Sequence, residues 1–225
     1  MKKTITLLIL SAATTLGAFA QNMFFPSKEG TSMLYANLDA KGKIENYTQQ
    51  TVKKVEGSGS NLTISYVSQV LDKNREPIAE GIDEIPLTIT IKDGVVEWDM
   101  RTFATSELNE FIEIEGDKLR IPTKLSPGDK WDDVKFTVTI SMGIKIRTSM
   151  ALTDQQCLAI EEITVPAGTF KCHKITQTST ATVMRRNTTT TTVTWYAEGI
   201  GMIKSETFDA KGKLQNSMML QELKS

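Results

Sequence analysis

The chain has 225 residues, with 26 Lys and Arg against 27 Asp and Glu, two cysteines and one histidine. A balance this near neutrality excludes the basic face that nucleic-acid binding calls for. One histidine and two cysteines also leave too few N and S ligands for a zinc site.

The first twenty residues have the three parts of a secretory leader. Met1-Lys2-Lys3 is a basic start, Ile5 to Ala13 supply a short apolar run, and Ala18-Phe19-Ala20 is an A-x-A cleavage site. The run is shorter than the roughly 20 apolar residues that span a bilayer and is interrupted by Thr and Ser. Residues 1–20 are therefore expected to be removed and residues 21–225 to form one all-β domain in the periplasm or outside the cell. No transmembrane segment is expected in the mature chain, and no cysteine follows the cleavage site to carry a lipid anchor. Loss of Lys2 and Lys3 takes 26 basic residues to 24 against 27 acidic ones, a net charge of −3.

Beyond the leader the dominant pattern is alternation with period two, the mark of strands that bury one face. Leu62, Ile64 and Tyr66 alternate with Thr63 and Ser65; Ile85, Leu87, Ile89 and Ile91 with Pro86, Thr88, Thr90 and Lys92. Asp93-Gly94 then reads as a tight hairpin turn. The one helical pattern covers Thr105 to Ile112, with Ser106 as cap and Leu108, Phe111 and Ile112 on one side. Val134, Phe136, Val138, Ile140 and Met142 resume the alternation. Turn signals at Lys41-Gly42, Gly57-Ser58-Gly59, Pro127-Gly128-Asp129, Pro166-Ala167-Gly168 and Lys211-Gly212 suit a meander of about ten strands. The expected fold is a single curved, mostly antiparallel sheet, a half-barrel or open barrel, with one short helix.

Cys157 and Cys172 flank the turn at 166–168, and an oxidising compartment would let them pair. A bridge would close a loop with an entropic contribution on the order of 3 kcal/mol. The alternative is two separate buried thiols, because that turn does not place the two residues directly opposite one another. Residues 176–194 are rich in Thr, with Arg185-Arg186-Asn187 at the expected turn; Thr on both faces specifies register weakly and leaves one face wet. Asp39-Ala40-Lys41-Gly42-Lys43 recurs as Asp209-Ala210-Lys211-Gly212-Lys213, which shared turn chemistry explains without a duplicated half-domain.

Chemistry-bearing patterns are sparse. His173 adjoins Cys172 within a predicted strand, so the two side chains point to opposite faces. Gly57-Ser58-Gly59-Ser60 and Gly199-Ile200-Gly201 lack the residues that complete a phosphate or dinucleotide loop. Glu113 with Glu115, and Asp129, Asp132 and Asp133 around Trp131, are the carboxylates to consider for glycoside hydrolysis or Ca²⁺, with solvated loop charge the simpler reading. Met142, Met150, Met184, Met202, Met218 and Met219 concentrate in the C-terminal half, and the first four are the candidate ligand-lining residues, since a flexible thioether adapts to varied apolar shapes; the same property suits ordinary core packing.

Three stretches carry a resemblance: Leu125-Ser126-Pro127-Gly128-Asp129-Lys130-Trp131, Glu162 to Ile175 with its Val165-Pro166-Ala167-Gly168 turn, and Trp195 to Lys204. They resemble a family of uncharacterised exported bacterial proteins, some described as TapB-like. The resemblance implies a curved antiparallel sheet similar to the half-barrels of periplasmic lipoprotein carriers, in envelopes of Bacteroides-like bacteria, and it brings no catalytic residues and no cofactor.

The function expected from these readings is a non-catalytic binding module whose concave side takes an apolar or amphipathic small molecule or a peptide partner. The alternatives are a structural protein that pairs strand edges with another envelope component and, behind it, a carboxylate-dependent glycan hydrolase.

Overall fold

The computed structural model describes residues 25–78, 84–98, 112–142 and 144–225, so the leader lies outside the described residues. Thirteen strands form one antiparallel sheet. They are β1 (Ser32–Asp39), β2 (Ile44–Ser58), β3 (Asn61–Leu71), β4 (Ile85–Lys92), β5 (Val95–Trp98), β6 (Ile112–Gly116), β7 (Leu119–Pro122), β8 (Val134–Met142), β9 (Ile144–Val165), β10 (Gly168–Val183), β11 (Arg186–Ala197), β12 (Gly201–Asp209) and β13 (Leu214–Lys224). Their lateral order is β6-β8-β9-β10-β11-β12-β13-β1-β2-β3-β4-β5-β7. Three more strands are present than the ten or so expected, and the short β5, β6 and β7 are too brief for alternation alone to reveal. The expected helix at 105–112 lies outside the described residues except for Ile112, which opens β6.

The two edge strands, β6 and β7, are consecutive in the chain, separated by Asp117 and Lys118 alone. β6 pairs antiparallel with β8 and β7 antiparallel with β5, and both run in the same direction. Residues 112–122 are thus one run that changes partner midway, so the sheet must roll until its edges meet. The ladder is not closed by hydrogen bonds between β6 and β7; packing closes it. Leu119 and Ile121 of β7 share an apolar cluster with Val134, Phe136 and Leu152 of β8 and β9.

The change of partner occurs at Gly116. Its φ of 123° lies where L side chains are strained, and a Cβ there would stand 2.5 Å from the Lys135 carbonyl oxygen and 2.7 Å from Phe136 Cα. Asp117 then clamps the crossing: its N–H donates to Lys135 O at 2.9 Å, and its carboxylate accepts from Lys135 N at 3.0 Å.

Residues directly paired across a ladder share a face, so the concave face can be followed by register. Leu87, Tyr66, Val52, Thr48 and Tyr35 lie on it, continued through Leu220, Met218, Ser205, Thr194, Ile175 and Cys157. Cys157 and Ile175 belong to the same buried cluster as Val52, Ile64, Tyr66, Ile89 and Val96, which sit on strands far away in the lateral order. That contact across the interior defines this face as the inside of a barrel. Tyr35 is 1% exposed, and its hydroxyl donates to Met202 O at 3.0 Å.

The convex face is covered locally. Leu34, Ala36, Tyr47 and Leu71 form a small outer cluster. The turn after β3 folds over it, with the Arg75 guanidinium 5.2 Å from the Tyr47 ring centroid and paired with Glu222 at 2.6 Å. Elsewhere on this face Trp195 lies between Lys174 and Lys204, at 5.2 and 5.1 Å.

Asp93 and Gly94, at φ 51° and 75°, make the expected tight turn. The β10–β11 turn falls on Met184-Arg185, at φ 47° and 66°, one residue before the position expected from the sequence. Nothing in residue type favours positive φ at Met or Arg. The turn is set instead by the Thr ladder beneath it, where Thr180 and Thr189 hydroxyls meet at 3.2 Å and Thr182 donates to Asn187 at 2.9 Å. The repeated Asp-Ala-Lys-Gly-Lys loops are the β1–β2 and β12–β13 turns. In each, the Asp carboxylate accepts from the N–H groups two and four residues on. Both hairpins carry a bulge at the same place, and because β1 pairs with β13 the loops lie side by side on one rim.

Gly116→Ala should lower stability by about 2 kcal/mol or more, combining left-handed strain with a backbone clash, read as a drop of several degrees in Tm; an unchanged Tm would contradict the crossing described. Burial pushes the Tyr196 hydroxyl up to about 12 and raises those of Tyr35 and Tyr66 as well. A phenol is neutral when protonated, so these shifts stabilise the fold fully below the unfolded value of about 10 and lose that contribution as pH climbs toward and past 12. Thermal melts should fall steeply over that alkaline window, and a flat profile there would contradict the burial.

Candidate functional site

The two rims of the barrel differ. At the rim formed by the β2–β3, β4–β5 and β9–β10 turns, here the lower rim, the interior is filled by its own side chains, with Ile64, Ile89 and Cys157 at 0% exposure. Toward the upper rim, which carries the paired Asp-Ala-Lys-Gly-Lys loops, the inward-facing residues are only half-buried. Among the described residues, the upper interior forms a basin that their side chains do not fill.

Its walls have opposite character. β11, β12, β13, β1 and β2 turn Thr190, Thr192, Thr194, Ser205, Thr207, Asn216, Asn37 and Asn46 inward. This polar wall is held by its own bonds: Asn37 Nδ2 donates to Asn46 at 2.6 Å and to Thr48 at 2.9 Å, and the Thr194 and Ser205 hydroxyls meet at 3.2 Å. The strands flanking the seam present Val70, Ile85, Val138, Met150, Ala181 and Val183, with Ser68, Thr148 and Ser179 among them. Val70 is 43% exposed although it faces inward.

The methionines singled out in the sequence fall in different places. Met150 lies on the apolar wall, packed against the Phe136 cluster. Met202 packs in the cluster of Met33, Tyr35 and Trp195 toward the lower rim. Met184 stands 75% exposed at the β10–β11 turn. Met142 ends β8, and its side chain lies outside the described part. The structure does not gather them, and the methionine that does face the basin beside Met150 is Met218. It belongs to the C-terminal group of methionines noted in the sequence, where Met219 beside it leaves the inward one of the pair undecided.

The expected Cys157–Cys172 bridge is corrected: both thiols are free and buried. Cys157 pairs with Ile175 on the concave face, whereas Cys172 pairs with Ala197 and Glu161 on the other. Three residues of strand, about 10 Å, separate the two positions, beyond the roughly 7 Å Cα limit for a disulfide. Burial pushes the Cys172 thiol up to about 11 and raises that of Cys157, so neither is a poised nucleophile.

The remaining candidates are absorbed into structure. His173 is buried, with Nε2 3.5 Å from Glu198. Glu115 lies 4.0 Å from Arg147 on the convex face. Asp129 caps its own loop by accepting from Ser126 N at 2.7 Å. Among the described residues no three His, Cys, Asp or Glu side chains group as a metal site, and no helix is long and apolar enough to cross a membrane.

The fold belongs to a recognised family. The DUF3108-like family model matches residues 28–220, and the chain belongs to that family. No curated protein matches it. Two solved structures are similar at 22% identity: a Bacteroides fragilis protein provisionally described as exported, with a YmcC-like fold (TM-score 0.71, covering 91% of this chain and 100% of that one), and a Parabacteroides distasonis protein provisionally described as a lipoprotein (TM-score 0.72, 91% and 99%). They share the fold.

The placement of the thiols predicts that the intact mass is the same with and without reductant and that alkylation of both cysteines requires denaturant. A native mass lower by two hydrogens, restored on reduction, would contradict the register.

Proposed function

We propose that the protein is a non-catalytic binding module of the cell envelope or exterior, and that its upper basin takes an amphipathic small molecule. The observation that carries this reading is the pairing of a mainly hydroxyl- and amide-lined wall, interrupted by Met218, with a half-exposed apolar wall across one concavity. A ligand with one apolar and one hydrogen-bonding side would satisfy both walls, whereas a wholly apolar one would strand the polar groups of β11 to β2. The packed lower half limits the depth of entry, so the ligand lies within the upper rim. Export is supported by the leader-like residues 1–20 and by the descriptions of the two similar structures. A non-catalytic role is supported by thiols held protonated and by a histidine engaged with Glu198.

A second reading, pairing of an exposed strand with an envelope partner, is favoured by β9. β8 accompanies it only to Leu152, and beyond Cys157 it has β10 as its one strand partner among the described residues, with Leu158 and Ile160 41% and 39% exposed.

Native mass spectrometry of the protein recovered from its own host tests the first reading. An added mass lost on denaturation is expected, and Ala181→Arg, which plants a cation in the apolar wall, should lower its occupancy roughly tenfold. A bare chain would refute the basin reading. Capture of an envelope protein that Ile160→Lys abolishes would favour the second.

A further inference from the structure

The stretch Ser126-Pro127-Gly128-Asp129-Lys130-Trp131 does more than turn. Where β8 stops accompanying β9, this loop takes its place: Gly128 N donates to Cys157 O at 2.8 Å, Cys157 N to Asp129 O at 2.9 Å and Trp131 N to Gln155 O at 3.3 Å. Lys130 also bridges to Gln156. On its other side β9 is irregular here, with a register shift against β10 between Thr176 and Thr178 and with Asp154 at φ 54°. The irregularity carries Gln155 into the interior of the junction, where it is 2% exposed.

Two polar atoms are left without partners at this junction. Gln155 donates its Nε2 to the Asp132 carbonyl, which can only accept, so the amide orientation is fixed and Oε1 is an orphan acceptor. Trp131 Nε1 is an orphan donor. Leaving a buried donor or acceptor unmade costs about 1–3 kcal/mol, and buried polar groups in native proteins are nearly always paired. Both residues line one opening of about 460 Å³, together with Lys130, Asp133, Asp154, Gln156 and Thr176. That volume falls within the range of small-molecule sites, about 300–1,000 Å³.

We infer that this pocket is a second binding site, separate from the basin, for a neutral hydroxylated ligand such as a sugar residue. The withdrawn groups, the indole N–H and the Gln155 carbonyl oxygen, are neutral and of opposite sense. A hydroxyl suits either, accepting from the indole N–H or donating to the amide oxygen. A charged group drawn to the same depth would lose its hydration with no buried counter-charge beside it, because Lys130, Asp133 and Asp154 are exposed at the margin. Those marginal groups complete the match, since further hydroxyls can donate to the two carboxylates and accept from the lysine.

The test is the indole Nε1–H resonance of Trp131 in ¹H–¹⁵N spectra of the mature chain, identified by its absence in Trp131→Phe. Glucose, galactose, mannose and N-acetylglucosamine are titrated in turn, with glycine as the charged comparison. A saturable shift with at least one sugar and none with glycine is expected. Thr176→Val, on the half-exposed wall, should weaken that sugar roughly tenfold, the change one hydrogen bond makes, with the remaining resonances in place. If the resonance moves with no sugar, or moves equally with glycine, the pocket holds only solvent and the inference is overturned.

Discussion

An open ladder of thirteen strands would leave two rows of unpaired backbone groups, a standing template for aggregation. In this protein those rows belong to the two halves of one run, residues 112–122, which pairs first with β8 and then with β5. The rest of the architecture follows from that change of partner. Because Asp117 and Lys118 alone join the halves, the sheet has to curl until β5 and β8 approach, and a concave face is created by covalent geometry before any side chain packs. Gly116 permits the crossing because nothing larger than hydrogen fits against the Lys135 carbonyl. The cluster of Leu119, Val134, Phe136 and Leu152 then seals the seam.

Once rolled, the barrel is too wide to be filled evenly by the side chains it has. Tyr35, Tyr66 and Tyr196, with Ile64, Ile89 and Leu220, occupy the lower part. Above them the described inward positions are mainly Thr, Ser and Asn, with Met218, on one arc and Val, Ile, Ala and Met150 on the other. Short hydroxyl and amide side chains cannot reach across the lumen, so the described side chains leave that end unfilled, and only part of its polar wall is bonded internally, through Asn37, Asn46 and Thr48. The same economy of residues that fails to fill the upper barrel produces a surface with two characters facing one another.

Much of this was legible in the sequence. Alternation in 62–66, 85–91 and 134–142 gave the strands and their buried faces, and Asp93-Gly94 gave its turn, because those signals are local. The Thr-rich stretch announced a wet face, though not that the wet face would be the inside. The curved sheet was expected, but the seam and the short β7 were not legible, since a strand of four residues shows too little periodicity and a change of partner is a property of pairing. The disulfide expectation failed for a related reason: the register shift at Lys174/Ile175 puts the two cysteines on opposite faces, and bulges leave no compositional mark. The orphaned Gln155 was likewise invisible, because its burial depends on the register shift at Thr176/Thr178 and on the loop at 126–131, distant in the chain.

The central claim is that the interior is divided, packed below and open above. Methionine methyl spectra read this division directly, because Met150 and Met218 face the upper basin whereas Met33 is buried at 2% exposure in the packed part. On titration with lauric acid as an amphipathic probe, the Met150 and Met218 methyls should shift saturably and show contacts to the probe while the Met33 methyl stays in place. Shifts at Met33 equal to those at the other two, or no shift at any of them, would contradict the division on which the account rests.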